Sequence, residues 1–396
     1  MSIKVKSFIK DVGGASRVTA LRRKTIKEAS TVPDPKDNIR AVADALHPDH
    51  MEFRVTEIRE ASPTSRVFRL VSTDGHLPIF QAGQYVNFRL HIGGSDLTRP
   101  YTISSAPCDA RGENGYIEVT IRRNRPYLVP DWFFENVNVG TGLQGNMPFG
   151  TFYYEPLRDS RNLVALAGGS GITPFYSMAR EIAYGKMQDV KLTILYGSVH
   201  HDDIVLKDEL AAIEAACPDV KVVHVLSGDE TWEGETGFIT KEIIAKYMGE
   251  DPTVMFCGPI AMFQLVQKAV TELGLTCRRF RHDVMNQPTD PTQIPGYPAE
   301  NKDKVYKLTV LRGIARDVID ARGDEPVAVA LERAAIPVDT HCRCGECGYC
   351  RTQLVAGEIF VSPNGDGRRL MDKEMGWFHA CSTYPVSDLT IRIPIL

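Results

Sequence analysis

The sequence predicts a multidomain chain: a small antiparallel β-barrel, then an α/β domain built on a parallel sheet, then a small α+β domain. Three observations carry this. Between Met51 and about Tyr154, "FRVTEIREA", "SRVFRLVS", "QYVNFRLHI" and "GYIEVTIRR" alternate apolar and polar residues with the two-residue period of half-buried strands. From Asn162 to about Arg281, apolar strand runs alternate with helical stretches, the pattern of a parallel sheet covered on both faces. Beyond Val305, strand patterns at both ends flank a helix near Ala328–Ala335, and five of the nine cysteines fall in this last stretch.

A length of 396 residues accommodates several such domains, and 43% hydrophobic residues suffice for ordinary packed cores. Residues 1–50 read as a basic extension. Lys4, Lys6, Lys10, Arg17, Arg22, Arg23, Lys24 and Lys27 face only Asp11 and Glu28 before position 30, and a short helix is expected over Asp37–Leu46. A solvated arm packed on the body is the plain reading, and an arm that docks an acidic partner is the sharper one. The barrel is assigned to 51–156 and the α/β domain to 157–282, with helices over Phe175–Tyr184, Asp208–Ala216 and Ala261–Leu273. The stretch "NQPTDPTQIPGYPAENKDK" is rich in proline and polar residues and has no period, so 283–304 reads as a linker that leaves the last domain, 305–396, free to swing.

A formal net charge of −4 gives no global reason to expect nucleic acid or an anionic membrane as partner. No apolar run approaches the roughly 18 residues that a spanning helix requires. Met1–Lys10 lacks the apolar core of a secretory signal. Cysteines clustered late in a long, signal-free chain point to metal binding in a reducing compartment, so a cytoplasmic location is expected.

The cluster is specific. In "CRCGECGYC", Cys342 is followed after four residues by Cys347 and after two more by Cys350, and Cys381 stands about thirty residues on in "HACSTYP". That spacing is the one used by plant-type [2Fe–2S] centres. Zinc knuckles place their ligands as two close pairs, whereas Cys381 stands alone. Gly345 and Gly348 permit positive φ and let backbone N–H groups approach the sulfurs. Cys344, between ligand positions, reads as a small packed residue.

"RPYTISSAP" (99–107) supplies on one strand what a phosphorylated flat ring would need: the fork of Arg99 for a phosphate, Tyr101 for a ring face and the Thr102 hydroxyl for a ring nitrogen, with Pro100 between them. Arg and Tyr on a strand are common, so "GNMPFGTF" at the barrel's end, with Gly145, Phe149, Gly150 and Thr151, adds weight. "LVALAGGSGITPF" is a strand, a glycine turn and a helix start. There Gly168, Gly169 and Gly171 admit a pyrophosphate at the helix N-terminus, followed by Thr173 and Pro174. Tyr196, Gly197 and Ser198, then Cys257, Gly258 and Pro259, recur at the carboxyl ends of later strands, where such sheets bind ligands.

Residues 305–396, with "EIFVS" and "HACSTYPVSDLTIRI" continuing beyond the cysteine loop, resemble a plant-type ferredoxin domain, which implies a β-grasp fold. Residues 51–282 resemble the flavin and NAD(P) domains of the ferredoxin–NADP reductase family. The resemblance implies Arg99 on the flavin phosphate, Tyr101 stacked on the isoalloxazine, Thr102 at its N5 and Cys257 beside the nicotinamide, so that Thr102 and Cys257 are the expected catalytic positions. Relatives often carry Gly-Gly and Ser before a helix that binds the flavin pyrophosphate. Here "RPYLVPDWF" places Pro130 near the expected Ser and leaves backbone amides from Val129 to Trp132; FAD is still expected rather than FMN. Relatives often follow "YGS" with an arginine for the 2′-phosphate of NADPH. Val199 stands there, followed by His200, His201, Asp202 and Asp203, so NADH is the expected donor. The expected activity is electron transfer from NADH through flavin and cluster to an external metalloprotein such as an oxygenase or demethylase. Direct flavin reduction of a small substrate, or redox sensing, would need an acid–base pocket or a signalling module, and the sequence offers neither.

Overall fold

A computed structural model describes residues 8–29, 37–123, 128–285, 288, 290–363 and 365–394. It divides the chain into two compact units, 1–45 and 46–396.

The first unit carries α1 (Phe8–Glu28) and most of α2 (Asn38–Leu46). The expected helix over Asp37–Leu46 is α2. The 21-residue α1 was not expected, because Gly13 and Gly14 interrupt it and each glycine costs about 1 kcal/mol relative to alanine. From Ala15 onward its described side chains are exposed.

The second unit begins with β1 (Met51–Ser62), β2 (Ser65–Ser72), β3 (Tyr85–Ile92), β4 (Ser95–Thr102), β5 (Ile117–Arg122), α3 (Leu128–Asn136) and β6 (Gly142–Phe149). The strands form one antiparallel sheet in the order β4-β3-β6-β1-β2-β5, and an isolated bridge between Ile103 and Val119 brings its two edges together. The alternation seen in the sequence becomes burial: Phe53, Val55, Phe68, Leu70, Val86 and Phe88 point inward and close on Phe133 of α3. Phe68 and Phe133 meet edge to face at 5.5 Å.

Next come β7 (Asn162–Gly168), α4 (Thr173–Ala183), β8 (Lys191–Ser198), α5 (Lys207–Ala216), β9 (Val220–Leu226), β10 (Glu235–Thr236), α6 (Lys241–Tyr247), β11 (Thr253–Pro259), α7 (Ile260–Glu272) and β12 (Phe280–Met285). All six strands run parallel in the order β10-β9-β8-β7-β11-β12. Separate apolar cores cover the two faces, as the near-continuous apolar strands require.

The last part holds β13 (Val305–Arg312), β14 (Ala315–Arg322), α8 (Val327–Arg333), β15 (Arg351–Ala356), β16 (Ile359–Val361), α9 (Leu370–Glu374), β17 (Trp377–His379), β18 (Thr383–Pro385) and β19 (Leu389–Arg392). Its mixed sheet, β14-β13-β19-β15-β17, packs on α8 through Leu308, Val310, Ala328, Leu331 and Ile391.

The segment read as a linker is different in the structure. β12 carries the parallel sheet through Met285, with Cys257 opposite Asp283 and Pro259 opposite Met285. From Asp290 the chain lies down on the last domain. Ile294 and Tyr297 pack with Tyr384 and Phe360, the Tyr297 hydroxyl donates to the Gly323 carbonyl at 2.8 Å, and Asn301 Nδ2 donates to the Pro385 carbonyl at 2.6 Å. Polar composition marked the segment as irregular, but its few apolar side chains suffice to anchor it.

The barrel and the parallel-sheet domain meet around one buried carboxylate. Glu118 of β5 is 1% exposed. Its Oε1 accepts from Arg69 Nε and Nη2 at 3.2 and 3.0 Å, and its Oε2 from Arg180 Nη1 of α4 at 2.9 Å. Arg59 lies 3.7 Å away, and Arg180 also pairs with Asp109 at 2.8 Å. Removing one member of a buried ion pair strands the others without solvent, so Glu118→Gln should destabilise this pair of domains by about 3 kcal/mol. Calorimetry of the whole chain measures this; an unshifted transition would show that the network contributes nothing.

Candidate functional site

The cysteine loop, Cys342–Cys350, lies between α8 and β15. Two of its turns require positive φ, at Gly345 (+95°) and Gly348 (+78°). A Cβ on Gly345 would also stand 2.5 Å from both the Gly365 carbonyl and the Ser382 hydroxyl. Cys342 and Cys347 face each other: the Cys347 N–H points at Cys342 Sγ (3.3 Å) and the Cys342 N–H at Cys347 Sγ (3.5 Å). The Cys350 and Cys381 thiols lie within hydrogen-bonding reach of each other, as do those of Cys342 and Cys381. Among the described residues no three His, Cys, Asp or Glu side chains converge on one point as the ligands of a single ion would. Two linked thiol pairs with backbone N–H groups aimed at sulfur suit a dinuclear iron centre better than a single zinc ion. Cys344 is buried, and its thiol lies within hydrogen-bonding reach of Cys342.

The strands β3, β4 and β6 present the residues expected to hold the flavin. Arg99, Pro100, Tyr101 and Thr102 end β4, which pairs with β3 so that Arg99 lies opposite Phe88 and Thr102 opposite Tyr85. The Tyr101 ring leans on Phe88 and Phe133 at 6.0 and 5.6 Å. Gly145 lets β6 approach β3, since a Cβ there would stand 2.7 Å from the Asn87 carbonyl. Phe149 packs beside Tyr85, Gly150 takes φ +94° against the same ring, and the Thr151 carbonyl accepts from Arg281. Val129, at the start of α3, is buried, and Asp131 pairs with Arg123 at 3.9 Å. Residues 125–127, the start of the neighbouring "RPYLVPDWF", lie outside the described residues. Two side-chain oxygens on this surface, Asn87 Oδ1 and Asn146 Oδ1, are buried without a hydrogen-bond partner, as is the ring nitrogen His341 Nδ1 next to it. Buried polar atoms of this kind are rare, and a heteroaromatic ring carrying donors and acceptors would satisfy them.

Arg99 has a partner that the sequence did not suggest. Its Nη1 and Nη2 donate to Glu332 Oε1 and Oε2 at 3.0 and 3.4 Å, and Arg343 Nη1 and Nη2 donate to the same two oxygens at 2.6 and 3.1 Å. Burial, and next the Arg343 guanidinium, lower the pKa of Arg99. Burial pushes the Glu332 carboxyl up, but Arg343 and Arg99 outweigh it and hold it below its usual range. The same surface meets the segment before the cysteine loop. Thr98 Oγ1 and Asn87 Nδ2 donate to the Thr340 carbonyl at 2.6 and 3.1 Å, His341 sets its edge on Phe149 at 4.5 Å, and Tyr349 stacks on His341 at 3.6 Å.

At the carboxyl ends of the parallel strands, the glycine turn interlocks with the turn after β11. A Cβ on Gly171 would stand 2.1 Å from the Cys257 carbonyl, one on Gly168 would stand 2.6 Å from Met262 Sδ, and one on Gly258 would stand 3.2 Å from the Gly168 nitrogen. Gly169 takes φ +54° and faces Arg122 Nη1 of the barrel. These glycines are therefore demanded by protein packing as well as by any phosphate. Thr173 Oγ1 donates to the Ser170 carbonyl at 3.0 Å, and Pro174 lies in the first turn of α4. The Tyr196 hydroxyl donates to the Gly169 carbonyl at 2.9 Å, so it supports the turn from below. Gly197 and Ser198 end β8, and Pro259 leads into α7. His224 Nδ1 and Trp232 Nε1 close by are buried without partners, which leaves polar capacity for a ligand. Cys257 is 1% exposed, and burial, then Asp283, raise its thiol pKa well above the ordinary range, so it stays neutral. The same Asp283 charge reaches Tyr85, the strand partner of Thr102.

Beside Val199 the acidic neighbour differs from the expected one. Asp203 turns to the barrel, where it accepts from Ser62 (2.8 Å) and Thr64 (2.6 Å) and pairs with Arg122. Asp229, held by His201 and by Thr231, stands one residue from Gly228, whose N–H donates to the Val199 carbonyl at 3.0 Å.

Signatures of known families match three consecutive stretches: an oxidoreductase FAD-binding domain over 52–154, an oxidoreductase NAD-binding domain over 165–268 and a 2Fe-2S iron-sulfur cluster binding domain over 314–386. The chain is 30% identical over 343 residues to NADH oxidoreductase HCR of Escherichia coli K12, covering 86% of this chain and 96% of that one. It is 26% identical over 342 residues to the glycine betaine monooxygenase reductase subunit of Chromohalobacter salexigens, covering 83% and 91%. Phthalate dioxygenase reductase shares the fold, with a TM-score of 0.63 at 20% identity over 87% of this chain and 98% of that structure. From the cysteine spacing, Cys344→Ser should leave the visible spectrum and iron content of the purified protein unchanged, while Cys381→Ala should abolish both. Loss of iron in Cys344→Ser would reassign the ligands.

Proposed function

The chain belongs to the flavin reductases of the ferredoxin–NADP reductase family that end in a plant-type [2Fe–2S] domain, and from that membership we propose that it draws electrons from NADH and delivers them singly to an external metalloenzyme. When bound, FAD supplies the conversion between two-electron and one-electron chemistry, and the cluster supplies the one-electron exit. The observation that carries the reading is the seating of the segment before the cysteine loop, Thr340 and His341, directly on the strands that end at Arg99–Thr102. A reductase acting directly on a small substrate would have no use for that contact.

The side chains proposed for the site bind and orient. Arg99 meets the flavin phosphate, Tyr101 covers a ring face and Thr102 offers a hydroxyl at the ring edge. Gly168, Gly169 and Gly171 keep the turn before α4 low enough for a pyrophosphate. The neutral, buried Cys257 thiol is a packing surface for the nicotinamide rather than a nucleophile. No proton needs to move at either Thr102 or Cys257, because a hydride carries its own; alignment to within a fraction of an ångström is what they contribute. The name of one relative, a monooxygenase reductase subunit, favours an oxygenase as acceptor.

NADH oxidation assayed with cytochrome c as artificial acceptor, and then with candidate oxygenases, tests the reading; absence of NADH-dependent reduction by the flavin- and iron-loaded protein would end it. With Val199 in place of a guanidinium and Asp229 nearby, kcat/KM for NADH should exceed that for NADPH by at least about tenfold, since a 2′-phosphate would lose a charge-assisted partner and gain a repulsive one. A higher value for NADPH would refute the donor. Cys257→Ala should slow flavin reduction in stopped flow by about tenfold through misalignment, with flavin content and cluster spectrum unchanged. A wild-type rate would place the nicotinamide elsewhere.

A further inference from the structure

We propose that Glu332 is the positioning residue that holds the cysteine loop against the flavin barrel, by sharing one carboxylate between Arg99 of the barrel and Arg343 of the loop. Both Oε atoms are used twice, once from each guanidinium, at 2.6–3.4 Å. The Glu332 and Arg343 side chains are 6% and 11% exposed, and that of Arg99 is 20% exposed. Arg343 lies between Cys342 and Cys344 in the loop itself, and its φ of +56° turns the chain so that the guanidinium reaches back to α8. A carboxylate on α8 therefore ties together a barrel strand and the residue next to a proposed cluster ligand.

The other contacts between described residues of this face are hydrogen bonds and ring contacts. Two side chains, Asn87 and Thr98, share the single Thr340 carbonyl, and His341 meets Phe149 edge-on. Interfaces between domains of one chain commonly separate and re-form unless they are large and apolar. Among the described residues, the Arg99–Glu332–Arg343 group is an ionic contact of this face held largely out of water, and truncating a partner in such a group costs far more than losing a rim contact.

The charges also do not balance. Two guanidiniums meet one carboxylate; Arg343 also faces Cys381 and Cys350, which leaves Arg99, its side chain 20% exposed, short of a counter-charge. Where Arg99 also meets the flavin phosphate, which rests on the functional reading above, the phosphate supplies the missing negative charge. Flavin loading and domain seating then favour each other, because linkage between two binding events is reciprocal.

The experiment uses the full flavin- and iron-loaded protein. Stopped flow with NADH resolves flavin reduction from the later bleaching of the cluster, and amide hydrogen exchange reports on residues 95–102 and 340–349. Glu332→Gln should keep its cluster spectrum and reduce its flavin within twofold of the wild-type rate. Cluster reduction should slow by at least about tenfold, and both segments should exchange faster. Cluster reduction within twofold of wild type, or unchanged exchange, overturns the proposal. If Glu332→Gln does not fold, Glu332→Asp decides: one methylene shorter, it reaches one guanidinium only, so cluster reduction should slow by about threefold or more, and a wild-type rate overturns the proposal. The flavin reading is tested apart from this. Arg99→Lys with undiminished flavin affinity removes the phosphate role of Arg99 and its coupling, and leaves the Glu332 outcome to stand or fall by itself.

Discussion

A carboxylate taken out of water needs its full complement of donors, and at two interfaces of this chain the donors come from more than one domain. Glu118 is satisfied only when Arg69 of the barrel and Arg180 of α4 both reach it. Glu332 lies between a barrel arginine and a loop arginine. Hydrophobic contact tolerates sliding; a shared carboxylate does not, because each N–H must find its own lone pair. The relative placement of the three folded parts is constrained by that requirement.

The two interfaces are built differently, in keeping with what each joins. Between the barrel and the parallel-sheet domain, the Glu118 network is reinforced by Ser177 donating to the Ser105 carbonyl at 2.6 Å, by Asp203 on Ser62, Thr64 and Arg122, and by Arg281 donating to the Thr151 and Tyr153 carbonyls. Helix α4 carries Arg180 near its end and the glycine turn at its beginning, so fixing one end fixes the other. That rigidity suits a step that depends on sub-ångström alignment of two rings. The cysteine-loop domain meets the barrel through far fewer groups, and the chain from Asp290 to Asn301 is bound to that domain. A domain that must receive an electron on one side and surrender it to another protein needs contacts that can be broken.

Strand and helix placement was largely legible in the sequence. "SRVFRLVS" coincides with β2, and the three helices read in the α/β domain match α4, α5 and α7 to within a residue or two. Period and length carry that information, and neighbours along the chain set both. The first helix was not legible, because Gly13 and Gly14 oppose it and no apolar stripe favours it. Nor was the strap after β12, where Ile294 and Tyr297 are too few to make a period yet enough to anchor a short segment.

The candidate site divides along the same line. The sequence by itself determined the cysteine spacing, the glycine turns and the order of the three domains, because each is written in residues that lie close together in the chain. Only the tertiary structure decided what the charged side chains do. Asp203 turned to the barrel, Asp229 came to stand next to the Gly228 that bonds Val199, Gly171 proved to be required by a carbonyl of β11, and Arg99 found Glu332 more than two hundred residues away. An ion pair leaves no mark in the sequence, since any of 46 basic residues could in principle meet any of 50 acidic ones. Burial and geometry choose among them, and both exist only once the chain has folded.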